Sequence, residues 1–394
     1  MDQVYKINHL VFNESKSQFC LSYNNGIKTF ETEEFKGKYN SDEIGSISFA
    51  ALFKELNMVI FVGSESNEIY NSKKVVIYDM LTKKNIYSTP FQDEIKNLKI
   101  INKFLIIGFE TELKVFSLEK KDILIPIKEI PLPESEFYEI WDKSSNEIIS
   151  LSKIILAYPF QKEICINSFI GNEWNLERKD DIKSPCQKIQ NIFYINKLNY
   201  IFVPDETAYY IYGISLDDGK QKLCLYRGKN PGIITSMTLL NKNYLAANNI
   251  NRTIHIFDIA ENSNNNYNIS SLIGGFIYGN YISPYMRIKY NDLVQDKEGE
   301  FYQLDFQKNG ALLSSEDDGI DLNIIAYNGF AYKIKINFLK RNFDLIQKEK
   351  YAEYKMNQNK EQETIDESSL FSSYNSIFDK TKKDKNSEKF TIYQ

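Results

Sequence analysis

Three residues in this sequence stand close enough together, and are of the right kind, to hold an anion. Arg227 lies in the turn "CLYRGKNPG" (224–232), between the apolar runs "IYGIS" and "IITSMTLL". Thr253 and His255 follow in "NRTIHIF" (251–257). Side chains alternate across a strand, so a hydroxyl and an imidazole two residues apart share one face. Both suit a phosphate oxygen, and a guanidinium binds phosphate through paired, charge-assisted hydrogen bonds. The local charge agrees. The chain has 53 acidic residues, yet none falls between Gly219 and Phe257, where Lys220, Lys222, Arg227, Lys229, Lys242 and Arg252 all lie. The bland alternative is a solvated face on which Arg227 caps a turn and Thr253 and His255 are ordinary strand residues.

No other chemistry competes. GxSxG, GxxxxGK[ST], HExxH and a GxGxxG following a strand are all absent. His9 and His255 are the two histidines, too far apart in sequence to suggest a metal site, and no pair of carboxylates stands out as an acid–base dyad. No catalytic residue, metal or cofactor is therefore expected. Cys20, Cys165, Cys186 and Cys224 are scattered without a CxxC pair, as expected of free thiols in a reducing compartment. "MDQVYKINHL" lacks the features of a signal peptide, and no run reaches the roughly 18 apolar residues of a membrane span. A soluble, cytoplasmic protein is expected. The net charge of −5 offers no general attraction to nucleic acid, which is not expected as a partner, or to anionic membrane. Any such affinity must come from a local patch.

The elements that must position these residues recur along the chain. An apolar strand, a short polar turn and a second apolar strand appear seven times: "CLSYNNGIKTFET" from 20, "IFVGSESNEIYNSKKVVIYDM" from 60, "FLIIGFETELKVFSLE" from 104, "IILAYPFQKEICINSF" from 154, "YIFVPDETAYYIYGIS" from 200, "YLAANNINRTIHIFDI" from 244 and "NIIAYNGFAYKIKIN" from 323. Most steps are close to the roughly 40–45 residues of a four-stranded propeller blade. An all-β, seven-bladed β-propeller of the WD-repeat kind is predicted over 1–352, although the His and Trp-Asp marks of WD repeats are missing; a β-sandwich with chance spacing is the alternative. "VYKINHLVF" is expected to pair with the last blade, near 323–350, to join the ring.

The last step is too long. Its excess, placed at about 260–300 as a loop insertion of blade six, passes from polar ("AENSNNNYN") to aromatic ("SLIGGFIYGNYISPY") and back to polar ("NDLVQDKEGE"). Long insertions in compact domains are usually functional or disordered. Residues 353–394 are polar and poor in branched aliphatics and are expected to be a disordered tail.

In the order and spacing of several stretches, the chain resembles the PROPPINs, seven-bladed propellers that bind phosphoinositides. "VFNESKSQFCLSYNNGIKTFETEEF" is similar to their first blade, "TPFQDEIKNLKIINKFLIIGFETELKVFSL" to the third, and "LAYP" (156–159) stands where the family has LAFP. "LYRG" (225–228) occupies the place of the family's FRRG, whose two arginines serve two lipid sites. Tyr226 stands at the first arginine and Arg227 at the second. The resemblance implies that the first site is lost, since Pro204 and Ala208 replace hydroxyls, Ile211 replaces an arginine and Ile182 lies near a lost histidine. It implies that the second site is kept by Arg227, Thr253 and His255, with Asn249 where a serine is usual and Arg252 in place of a glycine. It also places Ile273, Phe276, Ile277, Tyr278, Tyr281 and Ile282 in a membrane-contacting loop between the outer strands of blade six, with Arg287 and Lys289 following; the alternative is that these apolar residues are core.

The function implied is a non-enzymatic peripheral adaptor. It would recognise phosphatidylinositol 3-phosphate or 3,5-bisphosphate on endosomal, vacuolar or autophagic membranes and recruit proteins of the autophagy or lipid-transfer machinery. The alternative is a propeller scaffold that has lost useful lipid binding and binds only proteins. A hydrolytic propeller would need acids or histidines clustered at the central channel, and none is seen.

Overall fold

Each of the seven repeats forms the second and third strands of a four-stranded antiparallel sheet. These strands read as continuous apolar runs because both of their faces are covered. Met58–Gly63 (MVIFVG) is buried along its whole length. The fourth, outermost strands meet solvent, and Asn175–Lys183 (NLERKDDIK) is exposed at most positions. The computed structural model describes residues 7–350 apart from 43, 54–56, 119–125, 133–137, 143–152, 252, 261–280, 294–310, 316–320 and 327–329. The expected tail therefore lies outside the described residues.

The seven sheets are blades in a ring, as the repeat spacing predicts. Seven buried apolar clusters hold it, and each joins two successive blades. Between blades five and six, for example, Phe202, Ala208, Ile211 and Leu225 pack against Ile234, Leu245, Ala247 and Phe257. A blade cannot bury its faces alone, so neighbours supply the core.

Closure of the ring differs from the expectation. Ile7–Phe12 pairs with Gln18–Tyr23 and is the first strand of blade one. Blade seven is complete without it, built from Ala311–Ser315, Asp321–Ala326, Phe330–Asn337 and Asn342–Lys350. The seam is closed by packing: Ile325 and Ala331 of blade seven meet Ile7, Leu10, Phe19 and Leu21 of blade one. Gln347 Nε2 also donates to the Glu34 carbonyl at 2.8 Å.

Blade six consists of Ile234–Leu240, Tyr244–Asn249, Thr253–Asp258 and Met286–Lys289. The long excess thus sits between its third and fourth strands. The range 260–300 is not loop throughout, because Met286–Lys289 and the single helical turn Tyr290–Leu293 lie inside it. That outer strand is anchored by Met286 and Ile288, which are buried against blade seven.

Candidate anion site at the rim between blades five and six

The site begins with a turn. Between the second and third strands of blade five, the Asp205 carboxylate accepts hydrogen bonds from the backbone N–H groups of Thr207 (3.1 Å), Tyr209 (3.0 Å) and Tyr210 (3.2 Å). It also accepts one from the Thr207 hydroxyl at 3.0 Å. Asp is a turn former for this reason. Ala208 is held there in the left-handed region, at φ 52°. The Thr207 carbonyl accepts from the Gly232 N–H at 3.0 Å, and the Ala208 carbonyl is left for another donor.

Arg227 is that donor. The outer strand of blade five, Gln221–Tyr226, pairs with the third, Tyr210–Ser215, in a register that sets Tyr226 opposite Tyr210. The next residue is delivered against the turn, where the Arg227 N–H donates to the Tyr209 carbonyl at 2.8 Å. Its Nε donates to the Ala208 carbonyl at 2.6 Å, and Nη2 donates to the carbonyls of Thr207 (3.4 Å) and Asn230. Arg227 is only 3% exposed. Burial lowers its pKa, a shift that Asp205 opposes.

The connection to blade six then passes close under Asn249. A Cβ on Gly232 would lie 2.4 Å from Asn249 Oδ1, so the chain needs glycine at this approach. Asn249 is buried, and its Oδ1 accepts from the Asn251 N–H at 3.4 Å. Thr253 is half-buried and donates to the Asn251 carbonyl at 3.3 Å. Arg252 lies outside the described residues. His255, 5% exposed, has no partner at Nδ1 among the described residues. Burial, reinforced by Arg227 and Arg287, pushes its imidazole down to about 3.

Arg287, expected after the loop as a contact for anionic lipid, stands in the candidate headgroup site itself. It is the cross-strand partner of His255, as Lys289 is of Thr253. Partners in register point to the same face, so all four side chains lie on one side of blade six. Both cations are exposed. Arg287 Nη2 rests 3.4 Å from the Arg227 carbonyl oxygen. Among the described residues neither Arg227 nor Arg287 pairs with a carboxylate. The acid-free window is less uniform than its composition implies. Lys222 pairs with Asp218 at 2.6 Å, just outside the window.

The positions at which the family resemblance expects a first site are apolar and buried. Pro204, Ala208, Ile211 and Ile182 are buried, and Ala208 and Ile211 belong to the core between blades five and six. Of the loop residues, Ile273, Phe276, Ile277 and Tyr278 lie outside the described residues. Tyr281 is 47% exposed, its ring 5.1 Å from that of Tyr226. Ile282, expected with the loop, is instead stitched to the outer edge of blade five. Its N–H donates to the Cys224 carbonyl (2.8 Å) and its carbonyl accepts from the Tyr226 N–H (2.9 Å), because that outermost strand still has unpaired backbone groups to offer. No helix among the described residues is long and apolar enough to cross a membrane.

Seven four-stranded blades in a ring, with an unpaired cationic cluster on one rim, define a seven-bladed β-propeller with a candidate anion site. Its structural neighbours include the PROPPINs Hsv2 and Atg21. Kluyveromyces lactis Hsv2 superposes with a TM-score of 0.64 at 15% identity, covering 88% of this chain and 100% of that one. KlAtg21, solved in complex with the coiled coil of AgAtg16, superposes with a TM-score of 0.59 at 14% identity, covering 88% and 99%. By sequence the chain is similar to SVP1-like protein 2 of Candida glabrata, 24% identical over 164 residues, which are 39% of this chain and 36% of that protein. SVP1-like protein 2 of Saccharomyces cerevisiae is 24% identical over 166 residues, 38% of this chain and 37% of that protein. The matched segment therefore spans little more than a third of either curated relative. No family model matches the chain.

Proposed function

We propose that the chain is a peripheral membrane adaptor. It recognises phosphatidylinositol 3-phosphate or 3,5-bisphosphate at the rim between blades five and six and recruits proteins of autophagy or of endosomal and vacuolar traffic. One observation carries this reading: the exposed Arg287 guanidinium lies 3.4 Å from the Arg227 main-chain carbonyl, neither arginine pairs with a carboxylate among the described residues, and beside them is a buried imidazole whose Nδ1 has no partner there. Such a site lacks its counter-charge, and a phosphomonoester supplies it. Arg227, Thr253, His255, Asn249 and Arg252 line it in this reading, joined by Arg287 and Lys289. The segment with Ile273, Phe276, Ile277, Tyr278 and Tyr281 gives a second, apolar hold on the bilayer. The fold shared with Hsv2 and Atg21 supports the class of ligand, and the Atg16 coiled coil bound by Atg21 suggests a helical protein partner.

The scaffold reading keeps one observation of its own: the Arg227 guanidinium is engaged by three backbone carbonyls of this chain. Co-sedimentation with phosphatidylcholine vesicles, with and without a few per cent of phosphatidylinositol 3-phosphate or 3,5-bisphosphate, separates the two. Sedimentation only with the phosphoinositide supports the adaptor. Equal recovery in the supernatant with and without it leaves the scaffold.

A further inference from the structure

The two arginines at the rim are used differently. Arg227 is buried, its Nε donates to the Ala208 carbonyl at 2.6 Å and its Nη2 to that of Asn230, with a longer approach to Thr207 at 3.4 Å, beside a turn fixed by Asp205. To turn toward a ligand it would have to leave the Ala208 and Asn230 carbonyls without this donor, which is unfavourable for buried polar groups, although Thr207 would keep the Gly232 N–H at 3.0 Å. Arg287 is exposed and makes one hydrogen bond among the described residues, to the Arg227 carbonyl at 3.4 Å. That distance is beyond the usual range for an N–H donor, so the guanidinium is held in place but easily redirected. Its strand fixes where it points. Met286 and Ile288 are buried against blade seven, and alternation puts Arg287 and Lys289 on the opposite face, beside His255 and Thr253. A Cβ on Gly228, the residue after Arg227, would lie 3.9 Å from Arg287 Nη2. The guanidinium thus lies over the Arg227–Gly228 backbone.

We infer that Arg287 is the guanidinium that meets the ligand's phosphomonoester, with Lys289 and Thr253 beside it, and that Arg227 is a positioning residue holding the Thr207–Ala208 turn and the carbonyl on which Arg287 rests. The inference rests on reading this rim as a phosphate site, and it moves the contact from the motif arginine to the outer strand of blade six. A planar guanidinium on a rigid strand gives bidentate geometry that a lysine does not.

The test uses the full chain and the variants Arg287→Gln, Arg287→Lys and Arg227→Gln. Three quantities are measured: binding to phosphatidylcholine vesicles containing phosphatidylinositol 3-phosphate, affinity for soluble inositol 1,3-bisphosphate, and melting temperature. Arg287→Gln is expected to lose roughly tenfold or more in affinity for both ligands, as for a lost charge-assisted bond, with an unchanged melting temperature. Arg287→Lys falls between. Arg227→Gln is expected to weaken headgroup binding only together with a lower melting temperature, because Arg227 holds the turn and the carbonyl on which Arg287 rests. Wild-type headgroup affinity in Arg287→Gln overturns the inference, as does loss of that affinity in Arg227→Gln without a lower melting temperature. If Arg227→Gln does not fold, the Arg287 pair decides alone.

A separate readout does not depend on the membrane. The chain has only two histidines, so the His255 imidazole resonances can be followed by NMR during titration with inositol 1,3-bisphosphate and with inorganic phosphate. A shift in wild type that is absent in Arg287→Gln supports the assignment, even if no vesicle binds and the lipid reading falls. No shift in wild type, or the same shift in Arg287→Gln, sinks it.

Discussion

His255 faces Arg287 across the two outer strands of blade six, with the Cα positions of the two residues in register. The imidazole is thus buried under a guanidinium, with a second guanidinium, Arg227, close behind. Both the desolvation and the two positive charges disfavour its protonated form, and its pKa falls to about 3.

Stability should follow from that shift. Between pH 6.5 and about 3 the unfolded chain protonates this histidine and the folded chain does not. The contribution of His255 is therefore fully present above pH 6.5 and is lost as pH falls, at up to ~1.4 kcal/mol per pH unit. Urea midpoints measured from pH 7 to pH 4 should decline more steeply for wild type than for His255→Phe. Parallel declines would place the imidazole in a different environment. The same shift leaves the imidazole of the free site neutral through this range, so headgroup binding should strengthen as pH falls only if His255 takes up a proton on binding.

Ile211 occupies the position at which the family resemblance expects an arginine, but it is fully buried in the core between blades five and six. Ile211→Arg should therefore not rebuild a second lipid site. A charge buried without a partner should destabilise the fold by roughly 3–5 kcal/mol, read as a lower urea midpoint, with no gain in vesicle binding. A stable variant with stronger vesicle binding would show that the first site is still open.

The proposed apolar anchor can be separated from the headgroup contact. Replacing Phe276, Ile277 and Tyr281 together by Asp should abolish binding to phosphoinositide vesicles and leave affinity for soluble inositol 1,3-bisphosphate unchanged. Burial of two or three such side chains is worth ~3–6 kcal/mol before ordering costs. Tyr281 is exposed although the next residue is tied to blade five, so this substitution adds no buried charge at that position. Normal sedimentation of the triple variant would remove the anchor.

The seam between blades seven and one offers a stability test. Phe19 is fully buried, stacked on Phe30 at 5.0 Å between ring centroids, and part of the cluster that includes Ile325 and Ala331. Phe19→Ala should cost ~3–5 kcal/mol, as for other large-to-small changes in a core, seen as a drop in the urea midpoint. A loss under about 1 kcal/mol would mean that the seam collapses around the vacancy.

The number of blades was legible because their second and third strands are buried on both faces and therefore repeat as apolar runs. The first and fourth strands are short or half-exposed and carry little pattern. That is why Ala311–Ser315, set in a polar stretch, carries no strand pattern of its own in the sequence, which instead points to the N-terminal strand for the closure. The place of Arg287 beside His255, as distinct from its expected contact with anionic lipid, is hidden for a related reason. Its strand is the four residues MRIK, too brief for alternation to stand out beyond the long insertion. Thr253 and His255 do share a face, as their spacing implies. The engagement of Arg227 was not legible from spacing, because its acceptors are main-chain oxygens of Thr207 and Ala208, some twenty residues earlier, in a turn whose shape depends on one aspartate.

Because every blade is made from one contiguous stretch of chain, no backbone ladder crosses from one sheet to the next within the described ring. The ring is an arch without a keystone. The joint where the chain's two described ends meet is built, like the others, chiefly of side chains wedged against side chains, while the joint between blades five and six has in addition the backbone bridge of Ile282 to the Cys224–Tyr226 edge. Its first point of failure under heat or load is then set by how well each wedge is filled and not by which blade holds the ends, so widening one joint by a cavity substitution should move the site of initial opening to that joint.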